Sequence, residues 1–258
     1  MDISAQGLRA VVTAGAAGIG RAIAEALLAN GARVQICDVA DDALHEFGMA
    51  TPGAGAARAD VAEAAQVDRF FDSAAQRLGG LDLLVNNAGI AGPTGAVETI
   101  APGDWDRTLA VNINGQFYCA RRAVPLLKAA GGGSIVNISS VAGRLGFALR
   151  APYAASKWAV IGFTESLAIE LGPANIRVNA ILPGVVEGER IERVIKAKAE
   201  ALGVGMEEMR QRLLSHVSLR RTVSAKDIAA MVLFLVSPAG RNISGQAISV
   251  DGNVECLV

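Results

Sequence analysis

Tyr153 and Lys157, in the run A-P-Y-A-A-S-K from Ala151 to Lys157, are the residues whose types and spacing most directly suggest chemistry. Four residues apart in a segment of helical pattern, their side chains lie on one face a turn apart, so an ammonium can sit close to a phenol. A phenol in water titrates near pH ~10, and a neighbouring cation favours its phenolate form; lowering it by three units takes roughly 4 kcal/mol. Such a tyrosine could exchange protons near neutral pH. On its own, Tyr-x-x-x-Lys also fits a surface packing pair, so its meaning depends on its companions.

A second group sits near the N-terminus. The turn A14-G15-A16-A17-G18-I19-G20 joins a β-rich run to a helical one. A strand, a glycine turn and a helix N-terminus offer unpaired backbone N–H groups and the positive helix end to a pyrophosphate. Glycine is needed where a β-carbon would keep phosphate from the backbone. The spacing Gly15, Gly18, Gly20 is neither G-x-G-x-x-G nor a P-loop, since no G-K-[ST] follows. Asp38 ends the next strand, where a carboxylate can accept both hydroxyls of an adenosine ribose and would repel a 2′-phosphate. Ala17 supplies no cation to offset that repulsion, so NAD is favoured over NADP.

The elements that must position these groups follow in alternation. Leu8 to Thr13 reads as a strand, Arg21 to Ala29 as a helix ended by Gly31, and Arg33 to Cys37 as a strand finishing at Asp38, together a β-α-β unit. Further strands are predicted near Ala56 to Arg58, at Leu81 to Val85, Ser134 to Ser139, Arg177 to Leu182 and Gln246 to Val250. Helices are predicted at Glu63 to Leu78, along Trp105 to Ala130 with a bend at Pro125, from Tyr153 to Leu171, and at Ala225 to Val236. Parallel strands joined by helices bury both sheet faces, which predicts a doubly wound, three-layer α/β/α sandwich as a single domain over 1–258. The segment 185–223 breaks the rhythm with helical, charge-rich sequence. Ligands of such folds sit at the carboxyl ends of the strands, so an insertion there reads as a lid, with a solvated or subunit-contacting helix pair as the alternative.

Composition narrows the partners. The chain has 258 residues, 52% of them hydrophobic, and a net charge of −1, which gives no electrostatic footprint for nucleic acid or an anionic membrane. A small-molecule partner is expected. Cys37, Cys119 and Cys256 are scattered and odd in number, against a disulfide framework or a C-x-x-C metal site, and no metal is expected. With no basic leader and apolar core at the N-terminus, and no apolar run approaching the roughly 20 residues of a membrane helix, a cytoplasmic setting is expected.

Motifs in register then carry a family resemblance over nearly the whole chain. T13-A-G-A-A-G-I-G20, D60-V61, N86-N-A-G89, Asn112 in V-N-I-N-G, Ser140 in N-I-S-S-V-A-G, Y153-A-A-S-K157 and P183-G184 occur in the order of a short-chain dehydrogenase/reductase, which the sequence resembles. The resemblance implies a Rossmann-type fold, a nicotinamide cofactor and a homotetramer formed through the helices of 105–130 and 153–171. It implies that Gly18 and Gly20 line the pyrophosphate turn beside Gly15 and Ile19, that Asp60 and Val61 contact adenine, and that Asn87, Ala88 and Gly89 support the adenosine ribose. Pro183, Gly184 and the Val186 backbone would hold the nicotinamide carboxamide. It further implies Tyr153 as general acid/base, Lys157 on the nicotinamide ribose, Ser140 orienting the reacting oxygen, and Asn112 anchoring a proton-relay water. Hydride leaves the carbinol carbon as a proton leaves its oxygen, and a positioned base avoids a free alkoxide. Asn112 as a helix-kink satisfier, and Ser139 or Ser140 as a strand-end cap, are the structural readings beside these.

Two positions depart from that family's pattern. Ala14 stands where its turn has a first glycine, and Gly188 where a threonine commonly follows Pro-Gly and helps grip the cofactor. Substrate walls are expected from Ile90 to Thr94, Val141 to Pro152 and the lid, with Phe147, Trp158 and lid leucines as apolar lining. Arg144 or Arg150 would hold an anionic substrate, or else serve the surface. The function expected is hydride transfer between NAD(H) and a secondary alcohol or ketone. A 3-oxoacyl-[acyl-carrier-protein] reductase using NADPH, and a non-catalytic dinucleotide-binding regulatory protein, are the alternatives.

Overall fold

The computed structural model describes residues 3–257. Its seven strands are β1 (Arg9–Thr13), β2 (Arg33–Asp38), β3 (Gly55–Arg58), β4 (Leu83–Asn86), β5 (Gly133–Ile138), β6 (Ile176–Pro183) and β7 (Ala247–Val250). All pair in parallel in the order β3-β2-β1-β4-β5-β6-β7. The order reverses between β1 and β4, which opens a crevice at their carboxyl ends.

Nine α-helices accompany the sheet among the described residues: α1 (Gly18–Ala29), α2 (Asp41–Ala50), α3 (Ala64–Leu78), α4 (Pro102–Leu109), α5 (Gly115–Ala129), α6 (Ala151–Leu171), α7 (Glu189–Leu202), α8 (Met206–Ser215) and α9 (Ala225–Val236). Alternate residues of one strand serve opposite cores. Ala10 and Val12 of β1 face α1 and α9 with Val34, Ile36, Leu83, Val85 and Ile181, whereas Val11 joins Cys37, Leu84, Ile135 and Val178 against α3, α5 and α6. The doubly wound, three-layer single domain is therefore present.

Several boundaries differ from the periodicity. The stretch 105–130 is two helices joined by a π turn at Ala110–Asn114, while Pro125 lies inside α5, which runs on to Ala129. The interruption thus comes from the wider turn that sets Asn112, upstream of the proline. The sequence reading passes over α2, whose exposed, mixed composition buries only Phe47. α9 starts from a capping box, Ser224 and Asp227 each accepting the other's backbone N–H. Segment 185–223 folds as α7 and α8, packed together through Ile195, Ala199, Met209 and Leu213 and tied down by Val185, Val217 and Val254 against Val141. No helix of the described residues is long and apolar enough to cross a membrane.

Candidate active site

The loop after β1 shows why its glycines stand where they do. Ala14, in the place of the first glycine, takes φ +49, a left-handed conformation in which a β-carbon is strained. Gly15 donates its N–H to the Cys37 carbonyl at 3.1 Å, and a Cβ there would come within 2.6 Å of Ile36, so it serves packing onto β2. Gly18 begins α1 at φ +54 beside open space. A Cβ on Gly20 would meet the Ala14 carbonyl oxygen at 2.0 Å and Asn87 Nδ2 at 2.5 Å, so only glycine lets α1 close on the turn. α1 has no side-chain cap and no acid in its first turn, which leaves its N-terminal N–H groups to an anion.

Asp38 lies beside that turn. Its carboxylate accepts the backbone N–H groups of Ala16 (3.2 Å), Val39 (2.8 Å) and Ala40 (3.2 Å). At the end of β4 the Asn87 amide donates to the carbonyls of Thr13 and Ala14, both at 3.0 Å, and the N–H groups of Asn87 and Ala88 share the Thr13 hydroxyl, also at 3.0 Å. Thr13, which the sequence offers only as the start of a motif, is the peg that holds both loops together.

Past β5 and along α6 the four residues with catalytic promise converge. Lys157 is buried, and its ammonium donates to the Ile138 carbonyl at 2.9 Å and lies 5.8 Å from the Tyr153 ring centroid. Burial, with repulsion from Arg190 added, pulls this ammonium down to about 7. Its charge is therefore adjustable near neutral pH, where the sequence alone suggests a fixed cation. Tyr153 is half-buried and lines the central cavity. The two serines divide: Ser139 donates to the Lys157 carbonyl at 2.8 Å, whereas Ser140 accepts the Ala142 N–H at 3.1 Å and keeps its own proton for another acceptor. Ser140 is thus also the cap of a short 3₁₀ turn, Val141–Gly143.

Asn112, wholly buried in the π turn, accepts the Ile90 N–H (2.7 Å) and donates to the Ile90 carbonyl and the Ser156 hydroxyl, both at 3.0 Å. A Cβ on Gly89 would stand 3.3 Å from both Asn112 Oδ1 and Lys157 Nζ. Asn112 therefore satisfies the kink and adjoins Lys157 at once.

A cavity of about 590 Å³ runs across these groups. Ala14, Gly18, Ile19, Asp38, Asn87, Gly89, Ser140, Tyr153, Lys157, Pro183, Gly184 and Val186 line it. Gly15, Gly20, Asp60, Val61, Ala88 and Asn112 are not among its lining residues. Asp60 pairs with Arg107 at 2.8 Å and accepts the Ala62 N–H at 2.9 Å, and these bonds hold its carboxyl low against the opposing effect of burial. Val61 is packed against Gly115, where a Cβ would lie 2.7 Å from its methyl.

The far wall differs from the sequence reading in three places. Trp158 is half-exposed on α6 and takes no part in the lining, which includes Ala91, Val141, Phe147, Leu213 and Leu257. Arg144 turns away to the Ala247 carbonyl at 2.8 Å, whereas Arg150 lines the cavity. Gly188 takes φ +130, which a threonine would rarely adopt, so the altered residue comes with an altered backbone at the start of α7. Arg190, unremarked in the sequence, reaches back across the cavity to the Gly89 carbonyl.

An anion-ready helix end, a carboxylate at the tip of β2 and a tyrosine–lysine–serine cluster at the crevice define a dinucleotide-dependent oxidoreductase class of site. The chain belongs to the short-chain dehydrogenase/reductase family. A family model described as enoyl-(acyl carrier protein) reductase matches residues 14–254. The chain is 37% identical over 254 residues to trans-4-hydroxycyclohexanecarboxylate dehydrogenase of Sinomonas cyclohexanicum, covering 94% of this chain and 91% of that protein. It is 38% identical to sorbitol dehydrogenase of Cereibacter sphaeroides, covering 95% and 96%. The crystal structure of NAD+-bound xylitol dehydrogenase superposes with a TM-score of 0.91 at 30% identity, covering 96% and 98%.

Proposed function

We propose that this protein is an NAD-dependent dehydrogenase of secondary alcohols, with Tyr153 as its general acid/base. The observation that carries the reading is the convergence of Tyr153, Lys157 and a Ser140 hydroxyl with a free proton on one cavity that also reaches Asp38 and the start of α1. Relatives named as dehydrogenases of trans-4-hydroxycyclohexanecarboxylate and of sorbitol support the same chemistry here.

The residues fit a nicotinamide dinucleotide: Gly18 and the uncapped start of α1 would hold its pyrophosphate, Asp38 its adenosine ribose, and Pro183, Gly184 and Val186 its nicotinamide end. When bound, the nicotinamide ring supplies the acceptor for hydride. Ser140 donates its proton in a hydrogen bond to the substrate oxygen and fixes it beside the Tyr153 hydroxyl. Tyr153 takes the hydroxyl proton during oxidation and returns it during carbonyl reduction. Lys157 adjoins Tyr153, its ammonium 5.8 Å from the ring centroid, and would hold the nicotinamide ribose. Asn112 holds Ile90 and Ser156 in place, and its Oδ1 and Lys157 Nζ flank one point beside Gly89 where a water can bridge them toward solvent. Asp60 and Val61 would meet the adenine end, with Asp60 held by Arg107 and the Ala62 N–H and Val61 packed against Gly115. α7 and α8 act as the lid of this site, over approximately residues 185–223.

We also take the protein to be a homotetramer, on the support of large apolar side chains left exposed on α5 and α6, and cytoplasmic, on the support of three free cysteines, which suit a reducing compartment. Cofactor preference is tested by titrating NAD+ and NADP+ into wild type and Asp38→Ala, and by following reduced nicotinamide formation with trans-4-hydroxycyclohexanecarboxylate, sorbitol and xylitol. NAD+ is expected to bind wild type more tightly, with the preference reduced in the variant; an NADP+ preference in wild type would overturn the assignment and favour the ketoacyl reductase alternative.

A further inference from the structure

The end of the cavity beside Tyr153 carries, in Arg150, a positive charge that no carboxylate of the described residues neutralises. Arg150, the residue before the first turn of α6, is 2% exposed. Its guanidinium carbon lies 5.4 Å from the Phe147 ring centroid and 5.2 Å from that of Tyr153. Nη2 donates to the Ala91 carbonyl at 2.7 Å, but Nε and Nη1 are buried without a partner. Among the described residues no carboxylate pairs with Arg150. The Arg190 guanidinium repels it from across the cavity, and Arg150 in turn repels the buried Lys198 ammonium, which lies 4.3 Å from the centroid of the same Phe147 ring. Contact with two aromatic rings offsets part of the cost of burying such a cation, but an unpaired buried charge stays expensive.

Two further observations place this charge where an anion would be welcome. α6 is a 21-residue helix with no acid in its first turn and no side-chain cap, so its positive end adds to the field of Arg150. A helix ordinarily favours a cation at its other end. Leu149, immediately before Arg150, takes φ +62 and is pinned there by the Gly95 N–H to its carbonyl at 2.9 Å. That strained turn holds Arg150 behind Tyr153.

We infer that the alcohol taken by this site carries a carboxylate, received by Arg150 at the start of α6 with Arg190 as the second cation facing it. The inference rests on the dehydrogenase reading and names its substrate class as hydroxy acids. Arg150 is then a specificity-determining residue: an acid gains a charge-assisted hydrogen bond that its amide cannot match, and a neutral polyol leaves the guanidinium unpaired. The same charge could instead answer the dinucleotide's pyrophosphate, and the experiment separates the two sources.

Butyrate and cyclohexanecarboxylate, each against its primary amide, are titrated calorimetrically into the full chain with and without saturating NADH. Wild type, Arg150→Lys and Arg150→Met are compared, and NADH affinity is measured in parallel. Wild type is expected to prefer each carboxylate on the order of 10- to 100-fold, Arg150→Met to lose that preference, Arg150→Lys to keep part of it, and NADH affinity to change far less. Carboxylate binding no tighter than amide binding in wild type, or a preference retained in Arg150→Met, would overturn the inference. So would a parallel fall in NADH affinity, which would assign the charge to the cofactor. Should Arg150→Met not fold, the wild-type preference and the Arg150→Lys variant decide. Failure of the dehydrogenase reading shows separately, as no NADH formed from any alcohol, charged or neutral.

Discussion

Lys157 is the residue whose physical state the folded chain changes most. Its ammonium is wholly enclosed and has a carbonyl, not a carboxylate, as its partner. The folded chain gives up this proton above about 7, whereas the unfolded chain holds it to the ordinary value of 10.5. Between those limits the unfolded state binds more protons, so the penalty for burying Lys157 is full below pH ~7 and is relieved as pH rises. Cys37, whose thiol burial pushes up to about 12, works in the opposite sense above its ordinary 9.0. Denaturant unfolding from pH 7 to 9 should therefore show stability rising in wild type relative to Lys157→Met; parallel curves for the two would remove Lys157 as the source. Tyr153 and Lys157 stand out as a pair by type and spacing, whereas Ser140 is implied only by the family resemblance. Arg150 stands in the sequence only beside Arg144, as one of two cations that could meet an anionic substrate, and Arg190 has no assigned role there, because which arginine stays unpaired is a property of contacts between segments far apart in sequence.

At the scale of elements, the turn after β1 makes opposite demands at two small residues. Ala14 occupies a left-handed conformation that costs roughly 1 kcal/mol or more for a residue with a β-carbon. Ala14→Gly removes that strain while loosening the unfolded chain by about 0.4–1 kcal/mol, so the melting temperature is expected to hold or rise slightly, and a fall of several degrees would contradict the strain. Gly20→Ala puts a methyl 2.0 Å from a backbone oxygen, with an expected loss of about 1–3 kcal/mol and weakened dinucleotide binding; an unchanged melting curve and unchanged NADH affinity would show that α1 can shift. The strands and the longer helices were legible because burial on two sheet faces leaves a plain apolar record. The π turn at 110–114 was not, since its residues read as continuous helix and only the bonds of Asn112 to Ile90 and Ser156 show why the turn widens. α2 was passed over for a related reason: a helix with one fully buried side chain leaves almost no periodic signal.

For the whole molecule, α5 and α6 leave several large apolar side chains exposed. Ile169 is 82% exposed, Trp158 52% and Phe117 48%, on α6 and α5. Solitary exposed apolar residues are ordinary, and these three are where the proposed tetramer contacts are tested. Ile169→Glu is expected to shift the molecular mass by light scattering from a tetramer to a smaller species, with the secondary structure unchanged. A wild-type monomer, or a tetramer indifferent to that change, would leave the surface without a partner. The doubly wound parallel sheet and the carboxyl-end site followed from alternation, and segment 185–223 was expected as a lid, whereas the strand order and the contact of Arg190 with Gly89 could not be read before the elements were placed.

The most direct measurement is NADH formation from NAD+ and a panel of secondary alcohols by wild type and Tyr153→Phe, with NADH binding to both followed by fluorescence. Wild type is expected to form NADH with at least one alcohol, and Tyr153→Phe to lose at least about 10²- to 10⁴-fold in rate while binding NADH with similar affinity. Undiminished turnover in Tyr153→Phe would contradict the assignment of proton transfer to this residue.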